Sequence, residues 1–290
     1  MLLRTQQLDQ ASLKALKSLL SICQKEDGYT IPVYPHLLAK HRSGPASLLY
    51  YDEDRLVAFL AVFHFHADAC EIALLVDPAH RQQGLAKALW SIMLSSIHTL
   101  RPLPQHLIIS TPNHCNQTAL KQHGFSFEHS EYDMENVNKT PRTPRHTSLT
   151  IRPAEYADLK ELCLIDKACF HANRQHPEHR FTCALDNPNI HIFIAEHEKH
   201  IIGQVHLTFE ETQVRLTDLA VLPTWQKQGF GHMLIDHSLN YAYNHNQYRV
   251  ILVVAAHNKH ALKLYQNLGF KIYNAVDYYK LDLTNFKQNL

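Results

Sequence analysis

The chain has 290 residues, a length that suggests two domains of ordinary size. With 45% hydrophobic and 19% charged residues it has the composition of a globular protein, and its formal net charge of +1 gives no sign of a nucleic-acid or membrane partner. No stretch reaches the roughly 18 apolar residues of a membrane span, no signal-peptide core is present, and the six cysteines form no Cys-x-x-Cys pair. We therefore expect a cytoplasmic protein whose cysteines are buried, reduced thiols.

The first informative stretch is Val76-Asp-Pro-Ala-His-Arg81-Gln-Gln-Gly84-Leu-Ala86, where an apolar strand runs through a polar turn. The same arrangement returns 145 residues later as Val221-Leu-Pro-Thr-Trp-Gln226-Lys-Gln-Gly229-Phe-Gly231. The same offset relates further pairs, namely Asn113 and Asn258, Gly124-Phe125 and Gly269-Phe270, and Leu56-Val-Ala58 and Ile201-Ile-Gly203. A period this long indicates two tandem globular domains.

The boundary between the repeats lies near residue 145. Residues 138–146 contain two prolines and polar residues without apolar periodicity, which is typical of a short, stiff linker. We predict an N-terminal domain over residues 1–140, a linker over 141–148 and a C-terminal domain over 149–290.

Each domain reads as strand, helices, hairpin, helix, strand, helix and strands. In the second domain, helices are predicted over about 154–170, from Gly229 onward and over 259–267. Strands are predicted over 149–151, 191–195, 201–208, 214–222, 250–255, 270–273 and 278–283. The continuously apolar strand 250–255, flanked by helices, indicates an α/β fold with a sheet covered on both faces.

The stretch Gln226-Lys-Gln-Gly229-Phe-Gly231 is a candidate phosphate cradle. Apolar residues recur behind it at helical spacing, so a helix begins near Gly229 with its first N–H groups unpaired. These groups and the helix dipole favour an anion, and the glycines let a phosphate approach the backbone. The spacing of the glycines fits neither a P-loop nor the dinucleotide fingerprint.

Val221-Leu-Pro223 followed by Gln226-x-x-Gly229-x-Gly231 resembles the acetyl-CoA signature of the GNAT superfamily of N-acetyltransferases. Downstream, Asn258-x-x-Ala261-x-x-x-Tyr265-x-x-x-Gly269-Phe270 resembles the second signature of that family at every position. The tandem layout is similar to that of mycothiol synthase, in architecture only. The resemblance implies two GNAT-like α/β domains, each with a mixed, mostly antiparallel twisted sheet flanked by helices.

The resemblance also implies a site for acetyl-CoA, as co-substrate, in the second domain. The strand backbone at Leu219, Ala220 and Val221 and the side chain of Asn258 are expected to bind pantetheine, with Tyr265 near the thioester sulfur. The turn is expected to bind the pyrophosphate through Gln226, Lys227, Gln228, Gly229, Phe230 and Gly231.

Two residues are candidates for acid–base chemistry. A departing thiolate needs a proton, which the phenol of Tyr265 can donate, although Tyr265 can equally be read as a core aromatic. A primary amine, with a pKa near 10.4, must lose a proton before it attacks. Asp218 is the first candidate base, and Glu210 and Glu211 are alternatives. Each of these acids can also be a solvated residue of a strand edge or turn.

The first domain retains the cofactor signature better than the catalytic one. A second CoA site is possible at Val76, Arg81, Gln82, Gln83, Gly84, Leu85, Ala86 and Asn113. Leu120, however, occupies the position of Tyr265 and cannot donate a proton. The domain is therefore expected to be catalytically degenerate. It can still bind CoA, can only complete the substrate cleft of the second domain, or can use another acid among Asp77, Glu71, His64, His66 and His80.

The sequence is rich in histidine, with 23 residues. In the second domain His171, His176 and His179 cluster with Arg174 and Arg180. Their irregular spacing does not favour a zinc site, so we expect no metal and interpret the stretch as a substrate-side loop.

The sequence thus predicts an N-acetyltransferase whose C-terminal domain transfers an acetyl group from acetyl-CoA to a primary amine by direct attack. The acceptor would be a small molecule or a protein amine, and the enzyme a monomer or homodimer. The alternative is a non-catalytic acyl-CoA-binding or regulatory protein.

Overall fold

The computed structural model describes residues 1–65, 68–97, 99–100, 102–137, 140–143, 149–170 and 177–284, which fold into two compact units. Unit 1 contains Met1–Tyr132, Ala255–His257 and the described residues from Asn274 onward. Unit 2 contains Asp133–Val254 and Asn258–Tyr273, with the same gaps in the description. Residues 138–139 and 144–148 of the predicted linker lie outside the described residues.

Unit 1 is built on a mixed sheet with the strand order β1-β2-β3-β4-β5-β12. Helices α1 and α3 cover its two faces with separate apolar clusters, one around Phe59 and one around Leu60. The elements from the first half of the sequence are β1 (Leu2–Thr5), α1 (Gln10–Asp27), α2 (Pro35–Leu38), β2 (Ser47–Asp52), β3 (Arg55–Phe63), β4 (Ala69–Val76), α3 (Leu85–Ile97), β5 (His106–Pro112), α4 (Gln117–Gln122) and β6 (Ser126–Asn136).

Unit 2 has the strand order β11-β10-β9-β8-β7, with the end of β6 beside β11. Phe181 packs with Ile192 and Ile194 on one face, and Phe193 packs against Tyr241 on the other. The elements are β7 (Leu149–Pro153), α5 (Leu159–Phe170), α6 (Pro177–Asp186), β8 (Ile190–His197), β9 (His200–Phe209), β10 (Val214–Val221), α7 (Phe230–Asn244), β11 (Val250–Ala255), α8 (Lys259–Asn267) and β12 (Lys271–Asp282).

The α/β fold class is confirmed, and the repeat holds at the level of single elements. Adding 145 to the bounds of β4 gives those of β10, and adding it to the 3₁₀ turn Pro78–His80 gives the turn Pro223–Trp225. Two predicted elements differ. The predicted strands 270–273 and 278–283 form the single strand β12, and the helix predicted from about residue 154 begins with a 3₁₀ turn before α5.

The final strand in the sequence completes the sheet of unit 1. β12 pairs antiparallel with β5, in register from Val276 opposite Pro112 to Asp282 opposite His106. Asp277 is buried there and accepts hydrogen bonds from Asn113 Nδ2 (2.6 Å) and Ser130 Oγ (2.6 Å). The compact units therefore do not coincide with the two halves of the sequence, because β12, which the offset of 145 relates to β6, lies at the end of the second half but pairs with β5 of the first.

The described part of the linker is anchored to unit 2. The backbone of Arg142 exchanges hydrogen bonds with the side chain of Asn240, at 2.7 and 2.9 Å. The Arg142 guanidinium pairs with Asp236 at 3.1 Å and donates to the carbonyl of Leu268. These contacts fix residue 142 against α7.

Two expectations from the composition concern the cysteines and membrane-spanning segments. All six cysteines are free thiols. Only Cys23 and Cys70 are buried, so the expectation that all are buried is wrong for the other four. Among the described residues, no helix is long and apolar enough to cross a membrane.

Candidate functional site

A β-bulge interrupts β10 in unit 2. Thr217 lies opposite His206 and Ala220 lies opposite Gln204, so Asp218 and Leu219 together face one residue of β9. Asp218 has φ 48°, a left-handed conformation that aspartate tolerates better than most residues. Such a bulge bends its strand and increases the local twist.

The bulge also explains a glycine on the neighbouring strand. A Cβ added to Gly203 would lie 2.7 Å from the carbonyl oxygen of Ala220, closer than real side chains approach. The equivalent position in the unbulged unit 1 is Ala58. The bulge therefore brings the two backbones together where only glycine fits.

Before the bulge, β10 already separates from its parallel neighbour. β10 and β11 pair only at Val214 with Val250 and at Arg215 with Ile251, although both strands continue. Leu222 N–H donates to Ile202 of β9 at 2.8 Å. Because backbone groups alternate along a strand, the N–H and C=O of Val221 point to the other edge. Unit 2 thus has a strand edge that β11 does not pair, on which the Val221 carbonyl accepts from Gln226 Nε2 at 2.9 Å.

An apolar side chain is exposed on the part of β11 that β10 has left. Val253 is 45% exposed, although Leu252 and Val254 on either side of it are buried. The sequence pattern did not single out Val253.

The predicted cradle begins α7 as expected. Gly229 precedes Phe230, the first helical residue, with φ +88°, and Lys227 has φ 62°. A Cβ at Gly229 would meet nothing within 4 Å, so the space in front of the first helical N–H groups is open. The turn therefore has the left-handed glycine and the free space beside it that a phosphate cradle requires. Gln226 has a structural contact here, since its Nε2 donates to the carbonyl of Val221 at 2.9 Å.

Helix α8 brings the second signature beside the cradle. A Cβ at Gly231 would lie 3.7 Å from Leu264 of α8, which places the two helices in contact. Asn258 caps α8 by accepting from the Ala261 N–H at 3.1 Å, so its side-chain NH₂ can serve a different acceptor. Tyr265 is 8% exposed and packs 5.7 Å from the Phe270 ring. Burial raises the pKa of the Tyr265 hydroxyl to about 12.

Asp218 belongs to a partly buried ionic network. Arg180 Nη1 lies 3.2 Å from both carboxylate oxygens of Asp218, and Nη2 donates to Asp166 at 2.7 Å. The Arg180 guanidinium also lies 4.5 Å from the centre of the Phe181 ring. His206 Nδ1 is 3.5 Å from Asp218. Asp218 is thus not the solvent-facing residue of a strand edge, because two cationic or ionisable side chains surround it.

Gln204, on the same face of β9 as His206, is fully buried at 0% exposed. Neither its amide nitrogen nor its oxygen has a hydrogen-bond partner among the described residues. In unit 1 the equivalent residues are the core residues Phe59 and Ala61. Sequence reasoning missed Gln204, His206 and Asp166, but comparing the repeats at an offset of 145 would have shown two core positions that become polar.

Unit 1 has the same glycine turn as unit 2, but it differs in its strand pairing and in the contacts of the turn. Gly84 has φ +81° and open space around it, as at Gly229. Strands β3 and β4 pair without a bulge from Ala58/Val76 to Phe63/Glu71. Arg81 forms two 2.7 Å hydrogen bonds with Asp27.

The second signature of unit 1 is also altered. Helix α4 begins at Gln117, three residues later than the offset from α8 predicts. The side chain of Asn113 donates to buried Asp277, and Leu120 packs into the core. Asn113 is therefore committed to a structural contact that Asn258 lacks.

The remaining candidates have local roles. Asp77 is buried, pairs with Arg55 and caps the turn at Ala79. Glu210 pairs with Arg215 at 2.9 Å, and Glu211 is exposed.

The histidine candidates lie in local contacts where they are described. His64 contacts Cys70 at 3.4 Å, His80 pairs with Asp52 at 3.3 Å, and His179 lies 3.7 Å from Cys183. His66, His171, Arg174 and His176 lie outside the described residues. Within the described ranges, no three His, Cys, Asp or Glu side chains are grouped to hold a metal ion.

Comparison with known proteins assigns the family. The sequence profile of the Acetyltransferase (GNAT) family matches residues 13–121 and 159–270, one segment in each half of the chain. The chain belongs to the GNAT acetyltransferase family. Members of this family generally use acetyl-CoA and act on amine acceptors, so the match supports an acyltransferase activity.

Solved structures share the fold over the whole chain. A GCN5-related N-acetyltransferase from Sphaerobacter thermophilus has a TM-score of 0.81 at 15% identity, covering 97% of this chain and 95% of that one. A tandem GNAT protein from the clavulanic acid biosynthesis pathway has a TM-score of 0.69 at 14% identity, covering 97% and 98%. A putative acetyltransferase from Pyrococcus horikoshii has a TM-score of 0.56 at 14% identity, covering 97% and 89%. At these identities the likeness is one of fold, and it includes the tandem arrangement.

We predict that Gln204→Leu stabilises the protein. The change removes a buried amide that has no protein partner in the described part of the chain, and it fills the same volume. The free energy of unfolding, measured by urea denaturation, should rise by about 1–2 kcal/mol. The matched control is Gln228→Leu, which makes the same exchange at an exposed residue of unit 2 and should change stability by less than about 0.5 kcal/mol. A loss of stability in Gln204→Leu alone would contradict this account.

Proposed function

We propose that this protein transfers an acetyl group from acetyl-CoA to a primary amine, and that the reaction takes place in unit 2. The supporting observation is that one unit combines an open strand edge after the bulge, a glycine cradle at the start of α7 and a buried tyrosine on the adjacent α8. Unit 1 has the cradle and a strand that leaves its parallel neighbour, but it has no bulge and has Leu120 at the position of Tyr265, so we propose that it has no acetyl-transfer activity of its own.

In this proposal each group binds one part of acetyl-CoA. The first N–H groups of α7, around Gly229 and Gly231, hold the pyrophosphate. They have no partner within the helix, and they lie at the positive end of the helix dipole. The open edge at Leu219 to Val221 and the side-chain NH₂ of Asn258 bind the amide-rich pantetheine arm. Exposed Val253 supplies an apolar contact to that arm. Together these contacts position the thioester for attack.

The chemical step needs one proton donor and one acceptor. The neutral amine attacks the thioester carbonyl, the C–N bond forms and the C–S bond breaks. The departing thiolate takes the proton of the Tyr265 hydroxyl. A pKa of about 12 keeps that hydroxyl protonated at neutral pH, so it is always available as the acid.

Asp218 remains the proposed base, and the network around it shapes how it can act. Arg180 contacts both of its oxygens, so a water molecule between Asp218 and the amine would carry the proton. His206 is the competing candidate, because it lies 3.5 Å from Asp218 and imidazole titrates close to neutral pH. If Asp218 is the base, a variant of Asp218 should lose the acidic limb of the pH profile. If His206 is the base, a variant of His206 should lose it.

The first prediction concerns binding. Isothermal titration with acetyl-CoA should give one site per chain, which Gly229→Glu abolishes because it places a carboxylate in the cradle. Gly84→Glu is the matched control, since Gly84 has the same left-handed φ and the same open surroundings. Glutamate at a left-handed φ costs about 1–2 kcal/mol of backbone strain, and this cost is common to both variants. Loss of binding in Gly84→Glu alone would move the site to unit 1, and no binding by the unmodified protein would contradict the proposal.

The second prediction concerns the acid. With an amine acceptor identified from a panel, Tyr265→Phe should lower kcat about 10²–10⁴-fold and leave the KM for acetyl-CoA nearly unchanged. The unmodified enzyme should show no fall in kcat between pH 8 and 10, because Tyr265 loses its proton only near pH 12. Release of the CoA thiol is the measurement. An unchanged kcat in Tyr265→Phe would make this residue a core aromatic only.

The third prediction concerns the base. Asp218→Asn keeps a side chain that tolerates the left-handed backbone, and should lower kcat/KM about 10²-fold while removing the acidic limb of its pH profile. His206→Gln should lower the rate and leave that limb in place. The opposite pattern would assign the base to His206.

A further inference from the structure

Unit 1 contains a buried carboxylate that the fold does not require. Glu71 of β4 lies opposite Phe63 of β3 and is 6% exposed. It accepts a hydrogen bond from the Tyr34 hydroxyl at 3.0 Å, a neutral partner. The charged groups that act on it are Glu131 and His129, and in the described part of the chain no lysine or arginine is among them. Burial raises the pKa of Glu71, and the Tyr34 hydrogen bond and His129 oppose this shift.

Three aromatic rings stand beside this carboxylate. Tyr34 packs edge-on against Phe63 at 4.9 Å and against Phe65 at 4.8 Å, and the rings of Phe63 and Phe65 are parallel at 5.6 Å. Phe65 is 45% exposed, so the cluster reaches the protein surface. Ring faces carry partial negative charge and attract cations within about 6 Å of the ring centre.

One cation of the chain already uses this surface. The guanidinium of Arg42 lies 5.2 Å from the centre of the Phe63 ring. Its own hydrogen bonds go to the carbonyl of Val62 and the hydroxyl of Ser47, and so do not neutralise Glu71. The rings therefore attract cations, while no lysine or arginine of the described residues acts on the buried carboxylate.

The surroundings add negative charge. His129 stacks on Tyr278 at 4.7 Å and lies 3.6 Å from Glu131, whose hydrogen bond raises the pKa of His129. Glu71 and Glu131 thus share one histidine. In unit 2, the residue opposite the equivalent of Phe63 is Arg215, which forms a partly exposed ion pair with Glu210. The arrangement in unit 1 is therefore not a requirement of the repeated fold.

We propose that Glu71, Tyr34 and Phe65 form a binding site for a primary alkylammonium ion in unit 1. One carboxylate among three rings suits an organic cation better than a metal ion, which prefers several oxygen ligands. The oxygens of Glu71 and Tyr34 accept N–H bonds, which a quaternary ammonium cannot supply. The site goes beyond the proposed acetyl transfer, because it lies in the unit without the catalytic tyrosine and needs no acetyl-CoA.

The test is a titration of the full-length protein with n-butylammonium chloride, without acetyl-CoA, followed by NMR or calorimetry. We expect saturable binding that weakens about 10–100-fold in Glu71→Gln, which removes the charge and keeps an oxygen for Tyr34. Phe65→Leu should weaken binding about 3-fold. The matched control is Glu53→Gln, the same exchange at an exposed residue in the turn at the opposite end of β3, which should leave binding unchanged.

Two further ligands test the chemical class. Butan-1-ol, the neutral analogue, should not bind, and tetramethylammonium should bind more weakly than n-butylammonium. Equal binding of tetramethylammonium, binding of butan-1-ol, or full affinity in Glu71→Gln would each overturn the proposal, as would absence of n-butylammonium binding at 50 mM (roughly −2 kcal/mol). If Glu71→Gln does not fold, the test rests on Phe65→Leu at the exposed ring, and unchanged n-butylammonium affinity in that variant would overturn the proposal. None of these outcomes bears on acetyl transfer in unit 2.

Discussion

The bulge at Asp218 is the local constraint on which the rest of unit 2 depends. Two residues of β10 face one residue of β9, and β10 pairs with β11 at only two positions, both before this bulge. The strand edge that opens is directly followed by the turn that begins α7. The unbulged β4 of unit 1 pairs with β5 at four positions and then also continues without it. The bulge in unit 2 thus adds a change of strand direction to a separation that both units have.

The same bulge determines the electrostatics of the site. A residue at a bulge leaves the strict alternation of the strand, and this allows Asp218 to reach both Arg180 and His206. Arg180 in turn joins α6 to Asp166 of α5. A partly buried ionic network of this kind is weak as a source of stability, because the loss of solvation offsets the attraction. Its position beside the open strand edge is better explained by function than by stability.

The two units show how one fold can diverge after duplication. Both keep the glycine turn with its left-handed backbone, and in both a cysteine thiol contacts the carbonyl of the last strand residue, Cys23 at Val76 and Cys169 at Val221. The differences are concentrated in buried side chains on the face covered by the first helices. Unit 2 has Gln204 and His206 where unit 1 has an apolar core, and unit 1 has Glu71 with its rings. Buried polar groups cost stability, so their different placement suggests that the units serve different ligands.

The sequence by itself determined the fold class, the repeat, the helix that begins at Phe230 and the limits of α8, because local patterns specify them: apolar periodicity, a glycine that tolerates positive φ, and an asparagine that caps a helix. It also indicated Tyr265 and Asp218 as candidates, through motif and position. Tertiary structure alone decided that β12 completes unit 1, that β10 leaves β11, and that Arg180, Asp166, Gln204 and His206 surround or adjoin Asp218. These features depend on strand register and on contacts between residues far apart in the chain. The physical reason is that the free energy of such pairings is shared between distant segments, so no local stretch of sequence contains it.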